Sequence, residues 1–124
     1  MLINLSNHPT AVWTTKQLEA ARELYGRVED MDFPQINPSA STEEVVAIAT
    51  EFAERAVEQF RREHGSHSNA VHVMGEMCFV YAFVDACRRM GVACVASTTR
   101  RSTALTPGGA KTSVFEFVGF RRYF

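Results

Sequence analysis

The stretch from Asn69 to Arg101 constrains the fold more than any other part of the chain. It contains a short apolar run ending in glycine, a segment of helix length, and a second apolar run that stops at hydroxyl side chains and arginines. A strand, a helix and a strand joined by tight connections form a βαβ crossover, whose two strands are parallel and lie in a covered sheet. We therefore predict strands at 69–74 and 92–97, with a helix at 76–90 between them.

The residues on either side extend this unit. The apolar run at 2–6 predicts a buried strand, and we predict a second strand at 28–33, at a sheet edge because it is highly charged. Capping-box patterns and apolar residues at helical spacing predict helices at 15–25 and 42–64. An alternating segment after a Pro-Gly-Gly turn predicts a hairpin beyond residue 101. Residues 1–124 should thus form one compact Rossmann-like α/β domain, with a central parallel sheet and a C-terminal antiparallel hairpin.

Composition and cysteine content suggest an ordinary cytoplasmic protein. The 124 residues are 46% hydrophobic and 22% charged, which suits one soluble domain. No apolar run approaches the ~20 residues of a membrane span, and no signal peptide is indicated. The cysteines form no C-x-x-C pair, so we expect three reduced, buried thiols: Cys78, Cys87 and Cys94.

Charge is distributed unevenly along the chain. Residues 1–76 carry six Lys/Arg against twelve Asp/Glu, whereas residues 77–124 carry seven against two. The basic half includes the second strand of the crossover and its arginines, so an anionic ligand is expected there. Duplex nucleic acid fits poorly, because the chain lacks a high pI and a long basic stripe.

Polar side chains follow three of the predicted strands at the point where each strand ends. In open parallel sheets, ligands bind beyond the carboxyl ends of the strands. We expect the ligand-binding residues to lie at this edge: Ser6, Asn7, His8, Trp13, Gly75, Glu76, Ser97, Thr98, Thr99, Arg100 and Arg101.

The chemistry of this set points to phosphate. Arginine binds phosphate oxygens in a bidentate manner, and hydroxyls and backbone amides add hydrogen bonds. Gly75 either lets the backbone approach a ligand or simply makes a tight turn. The candidate catalytic residues are His8, Ser97 and Arg101. No dinucleotide, P-loop or zinc pattern is present, so no cofactor or metal is predicted.

Four segments together resemble small CRISPR-associated proteins found beside type III systems. They are MLINLSNHP at 1–9, VHVMGE at 71–76, ASTTR at 96–100 and FEFVGFR at 115–121. The pattern of those proteins has an acid after Ser-Thr-Thr, where this chain has Arg100. The resemblance implies a single CARF-like domain that forms a homodimer and binds a cyclic oligoadenylate across the dimer axis. In some members it also implies slow, metal-independent cleavage, as in a ring nuclease.

The sequence is compatible with three functions. The protein could be a ring nuclease in antiviral signalling, or a non-catalytic sensor of the same ligand. Alternatively, it could be an adaptor or structural subunit that docks through its apolar C-terminal hairpin. The apolar residues 114–120 favour coverage of the hairpin by the domain itself or by a second copy, so we expect a C2 homodimer.

Overall fold

In a computed structural model, which describes residues 1–124, the chain forms one five-stranded sheet with three helices on its faces. The elements in chain order are β1 (Leu2–Ser6), a short 3₁₀ helix (Thr10–Val12), α1 (Thr15–Tyr25), β2 (Val28–Asp30), α2 (Thr42–Arg61), β3 (Ala70–Met74), α3 (Met77–Arg89), β4 (Ala93–Leu105) and β5 (Lys111–Arg122). The strand order is β2-β1-β3-β4-β5. The first four strands are parallel and β5 is antiparallel to β4, so the predicted Rossmann-like α/β class is confirmed.

Local sequence explains where the first two helices begin. The hydroxyl of Thr14 accepts a hydrogen bond from the Gln17 amide, and that of Ser41 accepts one from the Glu44 amide. Both are the N-cap bonds that the capping-box patterns predict. Gly26, at φ 84°, ends α1 in a left-handed conformation that favours glycine.

Helices cover both faces of the sheet. On one face, α2 and α3 pack on alternate residues of the strands, including Ile3, Leu5 and Val71. On the other face, α1 and Trp13 cover a smaller cluster around Leu2. Three polar residues, Asn4, Ser6 and His72, are also buried in the sheet. The parallel strands are therefore covered on both sides, as their continuous apolar sequences require.

Two predicted elements end earlier than expected. β2 stops at Asp30 instead of residue 33, because the chain then turns inward and Met31 and Phe33 pack in the core. α2 ends at Arg61 instead of residue 64, and Phe60 is its last side chain packed on the core. Both differences follow from packing that sequence periodicity does not contain.

The largest difference concerns β4, which continues to Leu105 instead of ending at residue 97. β4 pairs with β3 only over Ala93–Val95, but it pairs with β5 from Val95 to Leu105. The predicted strand end at Ser97–Arg101 is therefore wrong: these residues lie inside a long antiparallel hairpin. A bulge leaves Val118 opposite no residue, since Thr98 pairs with Gly119 and Thr99 with Phe117.

The cysteine prediction is partly wrong. Cys87 and Cys94 are buried, but Cys78 is exposed in the first turn of α3. None of the three forms a disulfide. None of the helices combines the length and apolarity that crossing a bilayer requires.

Candidate functional site

β1 and β3 reach the same edge of the sheet at their carboxyl ends, and β4 passes this edge at Ser97. Ser6 of β1 is in register with Met74 of β3, and the Ser97 hydroxyl of β4 lies 3.2 Å from the Met74 sulfur. Asn7 and His8 follow directly after β1 and are exposed. The structure thus brings together the predicted residues that follow β1, the Gly75 turn and Ser97.

A buried hydrogen-bond network fixes the loop after β1. The carbonyl oxygen of His8 accepts bonds from the Asn4 side-chain amide at 2.8 Å and from Trp13 Nε1 at 2.9 Å. The Ser6 hydroxyl lies 2.8 Å from Asn4 Oδ1 and 3.2 Å from the same carbonyl. Ser6 and Trp13, each 8% exposed, therefore position the loop from below rather than facing a ligand.

The same network leaves the His8 ring available. Its backbone is held on both sides, because its amide donates to the Ser6 hydroxyl and its carbonyl is bonded as described. The ring itself is exposed and makes no hydrogen bond within the chain. A side chain on a fixed backbone with a free imidazole is suited to exchange a proton with a bound molecule.

A second histidine, His72, lies beneath this loop. Its Nδ1 is 2.9 Å from Asn4 Oδ1, while its buried Nε2 has no hydrogen-bond partner. The rings of Trp13 and Phe120 contact it edge-on, at centroid distances of 5.2 and 5.8 Å. Burial, and secondarily the nearby His8, lowers the pKa of His72 to about 4. His72 is therefore a core residue of the sheet, packed between the strands and the rings of Trp13 and Phe120.

Gly75 is required by packing. A Cβ atom at this position would lie 2.3 Å from Cζ of the Phe33 ring. Phe33 in turn packs edge-on against Phe79 of α3, at a centroid distance of 5.0 Å. The backbone φ of Gly75 is not positive, so glycine is favoured here by the Phe33 ring and not by a left-handed turn.

Glu76 is the N-cap of α3. Its carboxylate accepts hydrogen bonds from the amides of Phe79 at 2.7 Å and Cys78 at 3.2 Å. The bond from the Phe79 amide is the main cause that lowers the pKa of Glu76. The free amides at this helix start are therefore occupied by the chain's own carboxylate, which disfavours a phosphate there.

The arginines of the β4–β5 hairpin (residues 93–122) lack acidic partners. The hairpin carries five Lys/Arg and one Glu, whereas residues 1–92 carry eight against thirteen Asp/Glu. Its single acid, Glu116, pairs with Lys16 of α1 at 3.5 Å. Six ion pairs occur in the protein, and none includes a hairpin arginine: Arg100, Arg101, Arg121 or Arg122.

The hairpin separates two groups of predicted residues. Ser97 lies at the sheet edge, whereas Arg101 lies four residues further along β4, about 13 Å away at the usual rise per residue. Thr98 is already bonded, since its hydroxyl donates to the Gly119 carbonyl at 3.1 Å. Thr99 and Arg100 are exposed. A phosphate bound at Ser97 and His8 would therefore lie far from the part of β4 that carries Arg101.

An apolar ridge on α3 was not predicted. Met77 is 84% exposed and Tyr81 is 80% exposed. Two open cavities, of about 560 and 820 Å³, lie on either side of this ridge and share Met77, Tyr81 and Asp85 in their walls. The four-residue spacing of Met77 and Tyr81 contained the signal, because it places both side chains on one face of the helix.

These features define a small Rossmann-like α/β domain with an open carboxyl edge and a basic hairpin rising beyond it. The chain belongs to the uncharacterized protein MJ1673 family, whose model matches residues 1–121. No curated protein and no solved structure matches the chain.

Proposed function

We propose that this protein binds a cyclic oligoadenylate in the cytosol, at the carboxyl edge of its sheet, as part of type III CRISPR signalling. The observation that carries the proposal is the set of four hairpin arginines without an acidic partner, next to an edge with exposed polar groups. Unpaired guanidinium groups favour a phosphate-rich ligand. The choice of cyclic oligoadenylate rests on the resemblance of the four sequence segments to small CRISPR-associated proteins.

At the edge, Asn7, His8 and Ser97 would hold one phosphodiester. In cleavage, the ribose 2′-oxygen forms a bond to phosphorus while the bond from phosphorus to the 5′-oxygen breaks. His8 accepts the proton of the attacking hydroxyl, the leaving oxygen takes one from water, and the hydroxide ion so formed takes the proton back from His8. The product is a linear chain with a 2′,3′-cyclic phosphate at one end. Arg101 would stabilise negative charge on a neighbouring part of the ligand.

The proposal includes a C2 homodimer formed through α3. Met77 and Tyr81 are exposed on one face of this helix, and Asp85 and Arg88 are exposed in the turns that follow, whereas Val84 belongs to the domain's own core. If two copies of α3 run in parallel, each Asp85 lies within one turn of the partner's Arg88, which has no acidic partner in its own chain. Because α3 starts at the carboxyl edge, the two edges would then lie side by side and face one ligand.

An adaptor function is the second candidate. The exposed ridge of Met77 and Tyr81 and the cavities beside it favour it, because a partner protein could cover the same surface. An adaptor needs no nucleotide affinity, which separates it from the first proposal.

Calorimetry with cyclic tri-, tetra- and hexa-adenylate tests the proposal, followed by chromatography for linear products. We expect binding of at least one ring. Arg101→Ala should weaken it by about one to two decades, since one charge-assisted hydrogen bond contributes about 1.5–3 kcal/mol. Arg22→Ala is the matched control, because Arg22 lies on α1 and also has no acidic partner.

Each outcome of this experiment selects one function. Binding with linear product identifies a ring nuclease, and binding without product identifies a sensor. The absence of heat with all three rings would overturn nucleotide binding and leave the adaptor.

A further inference from the structure

The arm of the hairpin, residues 99–117 beyond the bulge, carries an aromatic ring that the fold does not use. Phe115 is 64% exposed and contacts no other aromatic ring. Two residues later, Phe117 is 5% exposed and packs 5.1 Å from Phe120. Phe115 is thus not part of the core that anchors the hairpin.

Arg101 is held beside this ring. The two residues pair across the β4–β5 ladder, and the guanidinium carbon lies 5.9 Å from the centre of the Phe115 ring. The Ser113 hydroxyl accepts hydrogen bonds from Nε at 3.2 Å and Nη2 at 2.9 Å. Ser113 therefore fixes the plane of the guanidinium without neutralising its charge.

We propose that Phe115 and Arg101 form a platform on which a base of the ligand stacks, so that the protein selects oligonucleotides over mononucleotides. This inference rests on the proposed function. Aromatic rings and guanidinium groups stack on bases of any sequence, and the positive charge attracts the adjacent phosphate. Phe115 supplies an exposed ring for stacking, and Arg101, which has no acidic partner, supplies the positive charge.

The position of the platform sets the size of the ligand. Arg101 lies about 13 Å along β4 from Ser97, which marks the sheet edge. This distance exceeds the separation between the base and the phosphate of one nucleotide in its usual conformation. A ligand that contacts both the edge and the platform therefore contains at least two nucleotides.

Binding of cyclic tetra-adenylate and of AMP to wild type, Phe115→Ala and Val114→Ala tests the platform. Val114 is the adjacent residue, alternates to the other face of the arm and is also exposed, so it is the matched control. Phe115→Ala should weaken cyclic tetra-adenylate about 10-fold or more, and Val114→Ala should leave it within about 2-fold. AMP should bind wild type at least about 10-fold more weakly, because one nucleotide cannot contact the edge and the platform together.

A spectroscopic variant gives a direct readout. In Phe115→Trp, cyclic tetra-adenylate should quench the added indole fluorescence, whereas wild type, which has only the buried Trp13, should change little. Wild-type binding with unchanged affinity in Phe115→Ala would overturn the platform alone. Failure of wild type to bind cyclic tri-, tetra- and hexa-adenylate alike would overturn the proposed function together with the platform.

Discussion

At the scale of single residues, buried polar side chains around the carboxyl end of β1 form a hydrogen-bond network. The sequence alone does not show that these residues contact one another. Asn4 joins the neighbouring strands, since its amide donates to Asp30 at 2.8 Å and its carbonyl accepts from Ser6 and faces His72. Asn4 is 1% exposed, so each of these bonds replaces one to water. The exposed His8 ring is thus supported by a buried network, which lets a short loop hold a fixed position.

His72 should make stability depend on pH. Its pKa is about 4 in the folded protein and 6.5 when unperturbed, so below pH 6.5 the unfolded chain binds a proton that the folded protein does not. The free energy of unfolding should fall from pH 6.5 to about pH 4, by about 3 kcal/mol in total, and this contribution should then level off. Urea unfolding of wild type and His72→Leu at pH 7 and pH 4 measures it.

The contribution of His72 is the difference between wild type and His72→Leu in the pH dependence of the free energy of unfolding. Other groups contribute equally to both, so the fall should be about 3 kcal/mol larger in wild type than in His72→Leu. The same pH dependence in the two proteins would show that folding does not lower the pKa of His72. The lack of a hydrogen-bond partner for Nε2 would then need another explanation.

At the scale of elements, the turn from β3 into α3 is held by a ring from another part of the chain. Phe33, which follows β2, lies over Gly75 and contacts α3 through Phe79. Glu76 then caps α3 with its own carboxylate. Two residues that the sequence suggested for ligand binding are therefore explained by the way this junction packs.

Gly75→Ala should destabilise the protein by about 1–3 kcal/mol, because the added methyl group overlaps the Phe33 ring. Gly119→Ala is the control, since a Cβ atom there meets nothing within 4 Å. Thermal or urea unfolding measures both. The double variant Phe33→Leu, Gly75→Ala should recover part of the loss, because the smaller side chain makes room. Undiminished stability of Gly75→Ala, combined with lost ligand binding, would favour the ligand-approach explanation instead.

At the scale of the whole molecule, positive charge is concentrated in the hairpin. The hairpin has a balance of +4 and the rest of the chain −5, while the apolar ridge lies on α3. Phe117 and Phe120 of the hairpin are packed on the domain's own body, so only part of the predicted apolar hairpin surface is exposed. Apart from the C-terminal Phe124, the most exposed large apolar side chains are therefore Met77 and Tyr81 of α3.

Tyr81→Arg should convert the proposed dimer into a monomer, because two arginines would meet at the centre of the α3 pair. Analytical ultracentrifugation at micromolar concentration should show a dimer for wild type and a monomer for Tyr81→Arg. Leu24→Arg on α1, where Leu24 is also exposed, should remain a dimer. A monomeric wild type under these conditions would count against both the dimer and a ligand shared across its axis.

The sequence by itself determined the element order. Apolar periodicity, helix caps and the βαβ pattern depend on neighbours a few residues apart, so they predicted β1, β3 and all three helices closely. The same patterns placed Asn7 and His8 at the edge where β1 and β3 end, whereas Ser97 reaches this edge from within β4.

Tertiary structure alone decided which of the remaining side chains face a ligand. The length of β4 depends on β5, and the environment of Gly75 depends on Phe33, more than 40 residues away. Ser6 and Trp13 are turned inward by bonds to the His8 carbonyl. Contacts of this kind follow from how the elements pack in space, and local sequence does not contain that information.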